Sequence, residues 1–254
     1  MSRSLPEQVV LVSGAGRGLG SAIAAAFARE GAHVIVNYRA SRERAEALAA
    51  QLGPRAQALQ ADVRDADQVH AMFETVERTM GPVTTIVHNA LADYQFNGDA
   101  RDTIATLTAD RLRGQHDTAC VGALTLLQRA LPHMTTAGFG RVVTIGSNLV
   151  QNPVVPYHDY TAAKSALLAF TRTAAAELGP RGITVNMVSG GLLRTTDASA
   201  ATPDAVFDLI AASTPLRRVT TPEELADTVL FFASPWARAV TGQNLIVDGG
   251  LVFG

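Results

Sequence analysis

Short apolar runs alternate with longer segments of helical periodicity along almost the whole chain. VVLV at Val9–Val12 is apolar at every position, the pattern of a strand buried on both faces rather than of a half-exposed one. Strands are expected near 8–13, 33–38, 56–61, 83–88, 141–146, 182–188 and 244–247, and helices near 19–30, 41–52, 66–79, 104–136, 157–178 and 222–233. This alternation implies a parallel sheet, and residues 1–254 are read as one α/β domain with a doubly wound sheet of about seven strands and helices on both faces. No repeat at solenoid spacing and no low-complexity tract interrupts it. In such sheets ligands bind beyond the carboxyl ends of the strands, so the residues that follow each apolar run are where chemistry is to be sought.

The first such place follows Val12, where a glycine-rich turn carrying Gly14, Gly16, Gly18 and Gly20 leads into an amphipathic helix and then a second strand. This is a βαβ unit of the nucleotide-binding kind. Glycines let the backbone approach a pyrophosphate, whose charge is then held by amide groups and the helix N-terminus. The spacing is Gly14-x-x-x-Gly18-x-Gly20, with Leu19 where the general dinucleotide fingerprint has its third glycine. Many turns before helices are glycine-rich; the flanking strand and helix are what single this one out.

A second constellation lies further on. Tyr160 and Lys164 are four residues apart and share a helix face, and Ser147 stands thirteen positions before Tyr160 at the end of the run RVVTIGS. An ammonium beside a phenol favours its ionised form, and a phenol near its ordinary pKa of ~10 is otherwise a poor proton donor or acceptor at neutral pH. Such a trio fits carbonyl reduction by hydride transfer, although the same residue types also recur at these spacings by chance.

Together the two signals resemble the short-chain dehydrogenase/reductase family, over essentially the whole chain. Asp62-Val63 after the third strand, His88-Asn89-Ala90 at the end of the fourth, GITVNMV before the usual lid and VDGG at Val247–Gly250 add to the match. The resemblance implies a Rossmann-like fold with Ser147, Tyr160 and Lys164 as catalytic residues. Ser147 would hydrogen-bond the substrate carbonyl, Tyr160 would give the proton, and Lys164 would lower the phenol's pKa and contact the cofactor ribose. The cofactor would run along Gly14, Gly16, Arg17, Gly18, Leu19 and Gly20, past Asn37, Tyr38 and Arg39, to Asp62, Val63, Asn89 and Ala90. It would end at Tyr160, Lys164, Leu193 and Thr195 (or, as the alternative, Thr196), and no metal is expected. Within the family the chain is most similar to 3-oxoacyl-acyl-carrier-protein reductases, through GRVVTIGS, YTAAKSALLAFTR, GITVNMV and TGQNLIVDGG. That implies reduction of a 3-oxoacyl thioester, as in fatty acid biosynthesis, with an acyl carrier protein as a candidate partner. These segments are largely scaffold and cofactor site, so other ketones, sugars and secondary alcohols stay open as substrates.

Charge bears on the choice of cofactor. An NAD site of this architecture puts Asp or Glu after the second strand, but the chain has Asn37-Tyr38-Arg39 there. Arg17 and Arg39 suit a 2′-phosphate, which favours NADPH/NADP+; each taken alone also reads as a solvated surface charge.

Four departures from the family pattern stand out. Ala119 replaces the helix asparagine that holds a relay water, and His116 is either its substitute or a polar surface residue. Leu91 replaces a glycine. Gly190-Gly191 replaces Pro-Gly and is expected to loosen the lid hinge. The loop 92–107, with Asp93, Asp99 and Asp102, is longer than usual and is expected to shape the substrate mouth. The lid itself should run from Leu192 to about Ser213, with a short helix at Pro203–Ala212 capped by Thr202.

Composition narrows the remaining classes. With 47% hydrophobic residues the chain can bury a large core, and a net charge of −2 with scattered arginines argues against nucleic acid. No run approaches a membrane span and the N-terminus has no signal-peptide apolar core, so a cytoplasmic protein is expected. The single cysteine, Cys120, allows no intrachain disulfide. The acidic carrier protein calls for a basic mouth, for which Arg129, Arg141, Arg172 and Arg181 are candidates. The resemblance implies a homotetramer built on the long helices around 104–136 and 157–178. A different class also stays open, a cofactor-binding regulator without catalysis, because of Ala119.

Overall fold

The computed structural model describes residues 3–92, 94 and 101–253. Its seven strands are β1 (Val9–Val12), β2 (His33–Tyr38), β3 (Ala56–Gln60), β4 (Thr85–His88), β5 (Gly140–Ser147), β6 (Ile183–Gly190) and β7 (Asn244–Val247). All pair in parallel, in the order β3-β2-β1-β4-β5-β6-β7. The chain works outward from β1 to β3, then returns to lay β4 against the other side of β1. The order therefore reverses between β1 and β4, and the crevice at their carboxyl ends is the expected ligand site of such a sheet.

Residues of β1 alternate between two cores. Val10 and Val12 join Val34, Val36, Phe27 and Phe232 on one face, while Val9 and Leu11 join Ile35, Phe73, Val76 and Leu126 on the other. All four β1 side chains are buried, because helices cover both faces. On the first face lie α1 (Gly18–Arg29), α2 (Arg42–Leu52) and α8 (Pro222–Ala233). The second face carries α3 (Ala66–Thr79) and two further helices, α5 (Gly122–Ala137) and α6 (His158–Leu178). Helix starts follow local chemistry. Asp65 accepts from the amides of Asp67 and Gln68, and Thr221 with Glu224 forms a capping box ahead of α8.

Two expectations about helices change. The segment 104–136 does not begin at 104: Thr108 is extended and caps α4 (Ala109–His116) through the amide of Arg111 at 3.3 Å. A π-turn at Asp117–Val121 then interrupts the α-helix before α5 begins at Gly122. The lid helix α7 spans Asp204–Ser213 and starts without a side-chain cap, since Pro203 holds the N-cap position in place of Thr202. Among the described residues no helix is long and apolar enough to cross a membrane.

Candidate active site

The carboxyl ends of the strands open into one cleft of about 1320 Å³. Ser147 ends β5, and its Oγ accepts from the amide of Leu149 at 3.2 Å, which fixes the hydroxyl at the strand end. Tyr160 and Lys164 lie on the first turns of α6, four apart and on the face that packs towards the sheet, so both are buried. The Tyr160 phenol hydrogen-bonds the Ser147 hydroxyl. Lys164 Nζ donates to the carbonyl of Ile145 at 2.7 Å, two residues before Ser147, and sits 5.6 Å from the centre of the Tyr160 ring. Helix α6 and strand β5 thus hold all three side chains as a unit.

Burial dominates their acidities. It pushes the Tyr160 phenol up to about 12, against a smaller downward pull from the Ser147 hydrogen bond. It also pushes the Lys164 ammonium down to about 8, with a nearby Cys120 working in the other direction. The expected lowering of the phenol by Lys164 is not found: desolvation raises it, and the downward pull comes from Ser147. Above the trio lie two aromatic rings that pattern reading did not single out. Tyr94 stacks on Tyr160 with centres 5.2 Å apart, and meets Tyr157 edge-on at 5.6 Å. Both line the cleft.

At the other end of the cleft is the glycine turn. Gly14 has φ +63°, and a Cβ there would lie 3.0 Å from the Ala90 Cα. Gly20 is tighter, since a Cβ would fall 2.4 Å from the Gly14 carbonyl oxygen. Asn89 ties β4 to this turn by donating from Nδ2 to the carbonyls of Ser13 at 3.0 Å and Gly14 at 3.1 Å. These glycines let the turn pack closely on itself and on β4, and the turn lines the same cleft as the trio, a cradle suited to a dinucleotide.

A family model described as enoyl-(acyl carrier protein) reductase matches residues 14–252. The chain belongs to the short-chain dehydrogenase/reductase family. It is 36% identical over 251 residues to the 3-oxoacyl-[acyl-carrier-protein] reductase FabG of Staphylococcus aureus (strain Mu50), covering 95% of this chain and 96% of that one. It is 34% identical to a 3-oxoacyl-[acyl-carrier-protein] reductase of Synechocystis, covering 98% and 99%. Among solved structures, the gluconate 5-dehydrogenase of Burkholderia cenocepacia in complex with NADP and tartrate is similar with a TM-score of 0.86. That match has 28% identity and covers 96% of this chain and 94% of the other. The protein is thus a short-chain dehydrogenase/reductase oxidoreductase.

Most residues that the family resemblance points to line this cleft: Gly14, Arg17, Gly18, Leu19, Gly20, Tyr38, Arg39, Asp62, Val63, Asn89, Ala90 and Leu193, besides the trio. Gly16 and Thr195 do not; Thr196 takes the position facing the turn, close to where a Gly18 Cβ would be. Asn37 borders the cleft, but its side chain donates inward to the Ala61 carbonyl at 3.1 Å. Asp62 is paired with Arg64 at 2.5 Å, and that hydrogen bond holds its carboxyl below the usual range.

Of the two readings of His116, the structure agrees with the polar surface residue: it is exposed, 3.6 Å from the Asp117 carboxylate, and does not line the cleft. The histidine near Lys164 is His88, fully buried and pushed down to about 4 by desolvation first and then by the lysine's charge. None of the arginines expected at the mouth is there. Arg129 pairs with Glu77 at 2.8 Å, Arg141 is buried over the Phe139 ring, Arg172 is exposed elsewhere, and Arg181 faces Glu177. Arg101 and Arg111 line the cleft instead. Gly190 and Gly191 are packed rather than loose: a Cβ on Gly190 would lie 2.6 Å from Leu225 Cδ1. Of the acidic loop residues, Asp102 pairs with Arg111 at 2.5 Å, while Asp93 and Asp99 lie outside the described residues.

Proposed function

We propose that the protein is an NADPH-dependent reductase that converts a 3-oxoacyl thioester to its 3-hydroxyacyl form. The observation that carries this reading is the Ser147–Tyr160 hydrogen bond, with Lys164 anchored to Ile145, at the end of a cleft whose far end is a glycine cradle. Arg17 and Arg39 line that far end, no carboxylate stands at 37–39, and Asp62 is already neutralised by Arg64. Guanidinium groups there favour a 2′-phosphate, and a similar solved structure contains NADP. The thioester assignment draws on the 3-oxoacyl-acyl-carrier-protein reductases among the relatives. The same reading takes the protein to be cytoplasmic and a homotetramer.

When bound, NADPH supplies the hydride. The chain's own residues handle orientation, solvent and proton. The neighbouring Ser147 and Tyr160 hydroxyls would together hold the carbonyl oxygen. A phenol held near 12 is protonated at neutral pH, so Tyr160 is set to give its proton to that oxygen as it becomes an alkoxide. Lys164, as an ammonium, then lies beside the phenolate that remains. Tyr94 and Tyr157 keep water from the exchange.

The test is NADPH consumption with a short acetoacetyl thioester, run beside NADH, a crotonyl thioester and the Tyr160→Phe variant. Turnover should prefer NADPH and fall by ~10²–10⁴-fold in the variant, whose NADPH dissociation constant stays unchanged. Retained turnover in the variant would remove Tyr160 from the mechanism. Turnover on the crotonyl substrate alone would shift the reaction to the carbon–carbon double bond that the matching family description names.

A further inference from the structure

The lid lies across the glycine turn and is fastened there by charge. Ser199 knots the segment after β6 by donating to the Leu193 carbonyl at 2.8 Å and accepting from the Thr196 amide at 2.9 Å. That knot sets Thr196 against the turn, its Cβ 3.5 Å from where a Gly18 Cβ would be. The next residue, Asp197, projects a carboxylate between two elements. Its Oδ2 is 3.6 Å from Arg17 Nη1 on the glycine turn and is also paired with Arg44 Nη1 on α2. Arg17 is one of the two arginines that suit a 2′-phosphate.

We propose that Asp197 is a latch: its carboxylate stands in for the 2′-phosphate at Arg17, holds the lid down over the cleft, and is displaced when NADP(H) binds. This rests on the NADP(H) reading above. A phosphate and a carboxylate at one guanidinium repel each other, so a 2′-phosphate at Arg17 works against the Arg17–Asp197 pair. NADH, which lacks the phosphate, leaves the pair in place. Asp197 thereby sets the gap in affinity between the two cofactors and couples the choice of cofactor to lid movement. The other charged pair within the lid, Arg194–Asp204 at 3.0 Å, does not reach the glycine turn and serves as an internal control.

The experiment titrates NADPH and NADH by cofactor fluorescence into wild type, Asp197→Asn, Asp204→Asn and Arg17→Ala. In parallel, trypsin cleavage after Arg194 is timed in the cofactor-free proteins. Exposed ion pairs contribute little individually, so the expected effects are modest, roughly two- to five-fold. Asp197→Asn should tighten NADPH by about that factor relative to NADH, and should speed cleavage of the lid without cofactor. Asp204→Asn should leave the NADPH/NADH ratio alone. An unchanged ratio in Asp197→Asn, or unchanged cleavage, overturns the latch. If Arg17→Ala weakens NADPH no more than NADH, the cofactor reading itself fails; the cleavage rate, measured with no cofactor present, then judges the Asp197 bridge separately.

Discussion

Lys164 is both buried and, below about pH 8, charged. In the reduction proposed above, the ammonium faces the phenolate that Tyr160 becomes, so the charged form is the useful one. Desolvation lowers the pKa of a cation, which means the ammonium is present below about 8 and is lost as pH rises through that value. Reduction should therefore be level on the acid side and decline above about pH 8, while Lys164→Arg, if it retains activity, should show no decline there because a guanidinium stays charged. A wild-type profile that stays flat through that range would show that the charge is not used. His88 has no part in this titration: Nε2 donates to the Thr118 carbonyl at 3.1 Å, Nδ1 takes the Ser13 hydroxyl at 3.2 Å, and the ring stays neutral well below the working range. Ser147, Tyr160 and Lys164 were legible in the sequence because the chemistry demands those types at those spacings. Tyr94 and Tyr157 were not, since the stacking of Tyr94 on Tyr160 and its edge contact with Tyr157 depend on the path of a loop, which no local pattern encodes.

At the scale of elements, two glycines on helices predict opposite outcomes. Gly20 sits in the first turn of α1, where a Cβ would meet the Gly14 carbonyl oxygen at 2.4 Å and Asn89 Nδ2 at 2.6 Å. Both contacts belong to the knot that joins β1 to β4, so Gly20→Ala should displace the turn, with loss of NADPH affinity by at least ten-fold and a lower melting temperature. Gly114 in α4 has nothing within 4 Å of such a Cβ, and Gly114→Ala should stabilise by up to ~1 kcal/mol through helix propensity, with activity kept. Thermal unfolding and cofactor titration of the two variants check this, and equal effects would mean that crowding at Gly20 does not matter. Strands were readable at this scale because full burial leaves an unbroken apolar run, as in β1. The π-turn after α4 was not. It rests on tertiary contacts, with His88 holding the Thr118 carbonyl and a Gly122 Cβ position only 2.7 Å from Val63 Cγ2. The mouth arginines were misplaced for a related reason: sequence gives their number, whereas the end of the strand or face of the helix decides whether each one faces the cleft.

For the whole molecule, the site is held at a cost in stability. Moving the Lys164 pKa from 10.5 to about 8 corresponds to ~3 kcal/mol of penalty, because the unfolded chain binds that proton more tightly than the folded one. The penalty is complete below about pH 8, shrinks as pH rises from there, and is gone above 10.5, where the amine is neutral in both states. Lys164→Met removes it while leaving the Ile145 carbonyl without its donor, a loss of ~1 kcal/mol that does not depend on pH. At neutral pH the variant should therefore be inactive yet more stable, by about 2 kcal/mol or some 4–8 °C in melting temperature for a chain of this size. Near pH 10.5 the order should reverse, since only the missing hydrogen bond remains. Thermal unfolding of both proteins across this range decides the matter. A variant less stable than wild type at neutral pH would mean that the buried ammonium is fully compensated, and that catalysis here is not bought with stability.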